Sequence, residues 1–97
     1  MAVTHVTPAG GNLFAELGFD HDEAENLKVR ACLMMALRKV IEARDLRQVD
    51  AGALFGVSQP RISDLMRGRM DAFTIDSLVN MLSHAGIPVE VSVPSVA

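Results

Sequence analysis

Residues 48–67 read QVDAGALFGVSQPRISDLMR, and this stretch has the pattern of two short helices joined by a tight turn. Gly56 falls between the two helical segments, where a residue without a Cβ takes a positive φ at little cost. Ser58 is a favourable N-cap for the second helix, and Pro60 is tolerated because a backbone N–H in the first turn has no intrahelical acceptor. The stretch therefore predicts a helix-turn-helix.

The two short helices divide into an inward and an outward set of side chains. Gly52 lies where the helices are expected to cross, and a side chain larger than Ala there would push them apart. The inward positions hold the pair against the rest of the domain and are Ala51, Leu54, Phe55, Val57, Ile62 and Leu65. The outward positions of the second helix are polar and are Gln59, Arg61, Ser63, Asp64 and Arg67.

The flanking sequence continues the helical pattern. Apolar residues recur every three or four positions over 23–44, and a cluster between Asn12 and Phe19 fits one or two helical turns. Helices are predicted over 23–44, 47–55 and 59–67, followed by a last helix that is capped by Thr74 and ends at Gly86. The 97 residues thus predict one mainly α domain of four to five helices.

The tail changes period, because Ile87, Val89, Val91 and Val93 alternate with polar residues and prolines. This alternation predicts a strand, and no second strand of similar quality is evident in the sequence. An isolated strand leaves its backbone groups unpaired, so we expect a second copy to pair antiparallel with it across a two-fold axis. The expected organisation is an acidic segment over 1–22, flexible or partly helical, a helical domain over 23–86 and a dimerisation strand over 87–97.

The net charge of -3 conceals three zones. Residues 1–25 carry five carboxylates and no Lys or Arg, whereas residues 26–69 carry all nine basic residues with four carboxylates, a net of +5. The remainder carries three carboxylates. A basic segment containing the helix-turn-helix indicates binding to double-stranded DNA.

The outward side chains have the chemistry of base and phosphate recognition. Gln pairs with adenine, Arg with guanine, and Asp either accepts from cytosine or holds Arg61 in place. The predicted base-contacting residues are Gln59, Arg61, Ser63 and Asp64. The predicted phosphate-contacting residues are Arg47, Gln48, Ser58, Arg67 and Arg69.

Other functional classes have little support in the sequence. His5, His21 and His84 have no metal-ligand spacing, and Cys32 lies among apolar residues where its thiolate would be disfavoured. We therefore expect no enzymatic activity, no metal and no cofactor. The single cysteine, which cannot form an internal disulfide, and the absence of a long apolar run predict a cytoplasmic protein without a membrane segment.

Residues 46–82, LRQVDAGALFGVSQPRISDLMRGRMDAFTIDSLVNML, resemble the Xre-type helix-turn-helix family of Cro-like and phage-repressor-like proteins. Within that family they are similar to the HigA-type antitoxins, and the likeness covers most of residues 12–93. It implies a homodimer that binds a palindromic operator, represses its own operon and neutralises a small ribonuclease toxin. Gln48 matches the family's phosphate-contacting Gln, and Ser58, Gln59 and Arg61 match the start of its recognition helix.

The sequence departs from the family pattern at two positions. Arg47 stands where Thr often caps the helix, and Gly52 replaces the more frequent Ala, which costs about 1 kcal/mol in helix propensity. Both departures predict a less stable first helix in the pair.

Two regulatory functions remain open at this stage. One is an autoregulating antitoxin, whose acidic N-terminal zone would anchor on a basic ribonuclease through Leu13, Phe14, Leu17 and Phe19. These four residues could equally pack on the first long helix of their own chain. The alternative is a stand-alone dimeric regulator of the Xre type with no toxin partner.

Overall fold

The computed structural model describes residues 4–6 and 13–93. The described segments fold into five α-helices, one 3₁₀ turn and a two-stranded sheet. In chain order these are β1 (Thr4–Val6), α1 (Leu13–Glu16), α2 (His21–Ala43), α3 (Gln48–Phe55), α4 (Gln59–Met66), the 3₁₀ turn (Met70–Ala72), α5 (Ile75–His84) and β2 (Val89–Val91). No helix in these ranges is long and apolar enough to cross a bilayer.

The core forms where α2 and α5 pack against the two short helices. Helix α2 contributes Leu33, Leu37 and Ile41 at helical spacing, which places them on one face of the helix. Fully buried side chains from the other helices complete this core, and they include Phe55, Ile62, Leu65, Leu78 and Leu82. The core is therefore mainly aliphatic, as the composition predicts.

The predicted helix-turn-helix is confirmed, with α3 and α4 as its two helices. Gly56 caps α3 in the left-handed conformation at φ 71°, and its N–H donates to the carbonyl oxygen of Gly52. A methyl group built on Gly52 would lie 2.6 Å from the carbonyl oxygen of Val57. The turn that leads into α4 therefore passes so close to α3 that even Ala would meet backbone, a tighter limit than the sequence predicted.

The four helices predicted over 23–44, 47–55, 59–67 and between Thr74 and Gly86 agree with α2, α3, α4 and α5 to within two residues at each end. Thr74 caps α5 as expected, because its hydroxyl accepts from Ser77 N at 3.1 Å while the Ser77 hydroxyl accepts from Thr74 N at 2.9 Å. After α5, Gly86 reverses the chain at φ 75° and leads it into β2. These caps fix the orientation of α5 beneath the helix-turn-helix.

The expectation that the chain holds only one strand is wrong. β1 pairs with β2 in parallel, with Thr4 opposite Val89 and Val6 opposite Val91. A strand of three residues is too short to show an alternating pattern, so β1 escapes detection in the sequence. The expected flexible or partly helical segment over 1–22 did not include this strand at Thr4–Val6, and residues 1–3, 7–12 and 94–97 lie outside the described residues.

The contact at Gly52 predicts an unusual response to a mild substitution. Gly52→Ala would raise helix propensity by about 1 kcal/mol. We nevertheless expect it to lower the free energy of unfolding, by about 1–3 kcal/mol, because the added methyl group forces α3 and α4 apart. Urea denaturation measures the difference.

The exposed Ala53 provides the matched control in the same helix. Ala53→Gly removes a methyl group that touches no neighbouring helix, so its effect reports helix propensity alone. A Gly52→Ala variant that is more stable than the native protein would contradict the close approach.

Candidate nucleic-acid interface

The outer face of α4 carries most of the residues predicted to read bases. Gln59 and Pro60 are exposed at its start, whereas Ser63 and Asp64 are half-buried one turn later. Arg67 is exposed at the C-terminal cap. Gln59, Ser63 and Arg67 are spaced by four residues and therefore follow one stripe along the helix.

Arg61 does not face outward, contrary to the prediction. Its Nη1 donates to the carbonyl oxygen of Ala72 at 2.6 Å, and its guanidinium carbon lies 4.3 Å from the centre of the Phe73 ring. The buried Phe73 ring supplies an attractive face for the cation close to α4. The partly buried guanidinium is thereby directed at the backbone and ring of its own chain.

Arg30 on α2 binds the same segment from another direction. Its Nη1 donates to the carbonyl oxygens of Met70 at 2.9 Å and Phe73 at 3.3 Å, while its Nε donates to Asn26 Oδ1 at 2.7 Å. Two arginines thus bind carbonyl oxygens of residues 70–73. We call Arg30, Arg61 and this segment the arginine clamp.

Two of the predicted phosphate-binding cations are paired with carboxylates. Arg47 Nε lies 2.9 Å from Asp50 Oδ2, and this hydrogen bond raises the pKa of Arg47, so the group remains charged. Arg69 lies 3.6 Å from Asp64, which was expected either to accept from cytosine or to hold Arg61. Arg67 has no ion pair among residues 4–6 and 13–93, which makes it the strongest candidate there for a phosphate contact.

The N-termini of both short helices carry unused polar groups. Gln48 is exposed as the first residue of α3. Ser58 occupies the N-cap position of α4 as predicted, but its side chain makes no capping hydrogen bond. Its hydroxyl and the N-terminal amides of these helices are suited to phosphate oxygens.

The predicted dimerisation residues divide between the core and the surface. Ile87 is buried in the core of its own chain, and Val89 is partly buried against that core. Val91 and Val93 are exposed, to 63% and 80%. Only the outer half of the predicted strand therefore has apolar surface for a partner.

The four residues proposed for a toxin contact lie mostly on the surface. Leu13 and Leu17 are each 65% exposed, and Phe19 is also exposed. Phe14 is half-buried and meets the ring of Phe19 edge to face, with 6.1 Å between centroids. None of the four belongs to the main core, although α1 itself lies against α2.

Two residues of the site escaped the sequence reasoning. Arg30 lies three residues after Leu27 and three before Leu33, so a cation interrupts the apolar face of α2. This interruption is the signal in the sequence that could have identified Arg30. Val49 is exposed in the first turn of α3, where its apolar side chain is unexplained by packing. Within the described ranges, no three His, Cys, Asp or Glu side chains are grouped to hold a metal ion.

Comparison with known proteins identifies the class to which this arrangement belongs. The model of a family described as "Helix-turn-helix domain" matches residues 13–94, so the chain belongs to that family. A solved structure described as a "Putative XRE Family Transcriptional Regulator" is similar at a TM-score of 0.69 and 29% identity. The match covers 75% of this chain and 82% of that one. No curated protein matches the chain.

The match and the geometry agree on the general function. The chain is a helix-turn-helix protein of the DNA-binding regulator class, with α3 and α4 as its helix-turn-helix, and it is similar in fold to an Xre-family regulator.

Proposed function

We propose that the protein is a sequence-specific repressor that binds a palindromic operator as a homodimer. The observation that supports this most directly is the exposed start of α4, where Gln59 follows Ser58, whose hydroxyl makes no capping hydrogen bond. In helix-turn-helix proteins the N-terminal residues of the second helix reach base edges in the major groove. Two copies would place their α4 helices in half-sites separated by about one helical turn.

Recognition would divide between a reading stripe and flanking phosphate contacts. Gln59 and Ser63 supply hydrogen-bonding groups on the exposed face of α4, and Asp64 is oriented beside them by Arg69. Gln48, Ser58 and Arg67 would bind the backbone on either side, with weaker contributions from the paired Arg47 and Arg69. Because two of these cations, Arg47 and Arg69, are paired with neighbouring carboxylates, affinity should rely on two copies bound together.

The second copy would pair along β2. The described sheet has two strands, so β2 has β1 on one side and an edge on the other. Antiparallel pairing of two β2 strands about a two-fold axis would give a four-stranded sheet and cover the exposed Val91 and Val93. This arrangement keeps the predicted dimer while giving β2 a partner within each chain.

The reading stripe is tested on an operator selected from random duplexes. Gln59→Ala should change the base preferred at one position of each half-site, because its amide is proposed to read a base. Arg67→Ala should weaken binding equally on all sequences and lower the slope of log affinity against log salt by about 1. Fluorescence anisotropy on a set of single-base operator variants measures both effects.

The Arg67 variant also serves as the control for Gln59, because both side chains lie on the same exposed stripe. A wild-type protein that selects no sequence from the random duplexes would contradict the proposed repressor. A Gln59→Ala variant with unchanged preference would contradict the reading role alone.

The dimer is tested at its proposed edge. Val91→Lys should convert the dimer to a monomer and weaken operator binding, because a cation on a strand edge opposes strand pairing. Met35→Lys is the matched control, since Met35 is an apolar residue exposed to a similar extent on α2, outside the interface. Sedimentation velocity reports the oligomeric state. A Val91→Lys variant that remains dimeric would exclude the β2 interface.

A second candidate function is neutralisation of a basic ribonuclease toxin. The protein would then also regulate the operon that encodes it together with that toxin. The favouring observation is an exposed acidic and apolar surface, formed by Leu13, Leu17 and Phe19 beside Glu16 and Asp20. Carboxylates around exposed apolar anchors suit a surface that normally binds RNA. A stand-alone regulator would have no use for this surface, so the two possibilities are distinguishable.

The toxin hypothesis is tested by co-expression with the product of the adjacent reading frame. Leu17→Lys should abolish rescue of growth and co-purification, because it places a cation at the centre of the proposed contact. Met35→Lys is the control, since Met35 is an exposed apolar residue on α2. Equal rescue by both variants would exclude the N-terminal surface, and an adjacent product that does not inhibit growth would exclude the toxin pair.

A further inference from the structure

We infer that Arg30 and Arg61 are positioning residues that hold the recognition helix α4 in place, and that Arg61 does not read a base. This inference rests on the proposed function, because positioning has meaning only for a helix that binds DNA. It reassigns the one arginine on α4 that sequence reasoning placed among the base-contacting residues. Direct reading then falls to Gln59 and its neighbours on the exposed stripe.

The contacts of the clamp connect three helices through one short segment. Arg30 belongs to α2, Arg61 belongs to α4, and residues 70–73 lead directly into α5. Three carbonyl oxygens within these four residues accept from the two guanidinium groups, at 2.6, 2.9 and 3.3 Å. The segment is itself anchored, because Phe73 is only 2% exposed.

The position of Arg61 conflicts with a base contact. A guanidinium that binds guanine needs two donors aimed at O6 and N7. Here one donor is committed to Ala72 O and the planar group lies over the Phe73 ring. Reaching a base would break the charge-assisted hydrogen bond, forfeit the ring contact and leave the Ala72 carbonyl without this donor.

The position of the clamp in the fold explains how it would act on α4. The crossing at Gly52 and Val57 fixes the N-terminal side of α4 against α3. Arg61 fixes the face of α4 that points towards the 3₁₀ turn, and Arg30 fixes that turn to α2. With both restraints present, the exposed stripe meets the groove at one angle, which limits the entropy lost on binding.

The experiment compares clamp variants on the selected operator and on its single-base variants. Arg30→Ala and Arg61→Ala should each weaken binding about 10-fold, the loss that one charge-assisted hydrogen bond of typical strength represents. The loss should be the same factor on every operator variant, so that base preference is unchanged. The double variant should lose less than the product of the two single losses, because both arginines act through one segment.

Matched variants separate positioning from charge and from folding. Lys39→Ala removes a cation from the exposed side of α2 and should weaken binding less than Arg30→Ala. Arg61→Lys keeps the charge and one donor for Ala72 O and should recover part of the affinity. Thermal unfolding of every variant identifies a temperature at which all of them are folded, and binding is measured at that temperature. If the Arg30→Ala protein does not fold, Arg30→Lys is used in its place.

Three results would overturn the inference. The first is an Arg61→Ala variant that loses its preference at one base pair while the Arg30→Ala variant keeps it. This result would show that Arg61 contacts a base. The second is a lower melting temperature in both variants with unchanged affinity, which would make the clamp purely structural. The third is a wild-type protein that binds no DNA, which would overturn the proposed function and this inference together.

Discussion

The close approach of α3 and α4 at Gly52 is the constraint on which the rest of the structure depends. With a methyl position only 2.6 Å from Val57 O, the turn into α4 can pass this close to α3 only when no side chain intervenes. The crossing turns Ile62 and Leu65 towards the core and therefore leaves Gln59 and Ser63 on the outside. The geometry of the DNA-facing surface thus follows from a missing side chain inside the protein.

The second restraint on α4 comes from polar contacts rather than from packing. Arg30 and Arg61 bind carbonyl oxygens of residues 70–73, and of these only Met70 O also accepts from a backbone N–H among the described residues, that of Phe73. Neither arginine is fully buried, so each keeps part of its hydration while donating to the backbone. The Phe73 ring beneath Arg61 joins this polar arrangement to the aliphatic core.

The surface of the domain is divided by charge in a way that matches two kinds of partner. Arg67 and the start of α4 lie in the basic segment and suit phosphates, although Asp50 and Asp64 neutralise neighbouring cations. The acidic zone around α1 exposes Leu17 and suits a basic protein surface instead. Like charges on DNA and on this zone would repel, so the proposed basic protein partner would occupy a face separate from the one that binds DNA.

The sequence by itself determined the helices, the helix-turn-helix and the capped α5, because local periodicity, N-caps and glycines act within a few residues of each other. It predicted the location of the reading helix, but only the tertiary structure decided the direction of Arg61. That side chain is held by Ala72 and Phe73, more than ten residues away, and no helical period encodes such contacts. The same holds for the pairing of β1 with β2, since a three-residue strand becomes regular only when a distant strand supplies its hydrogen bonds.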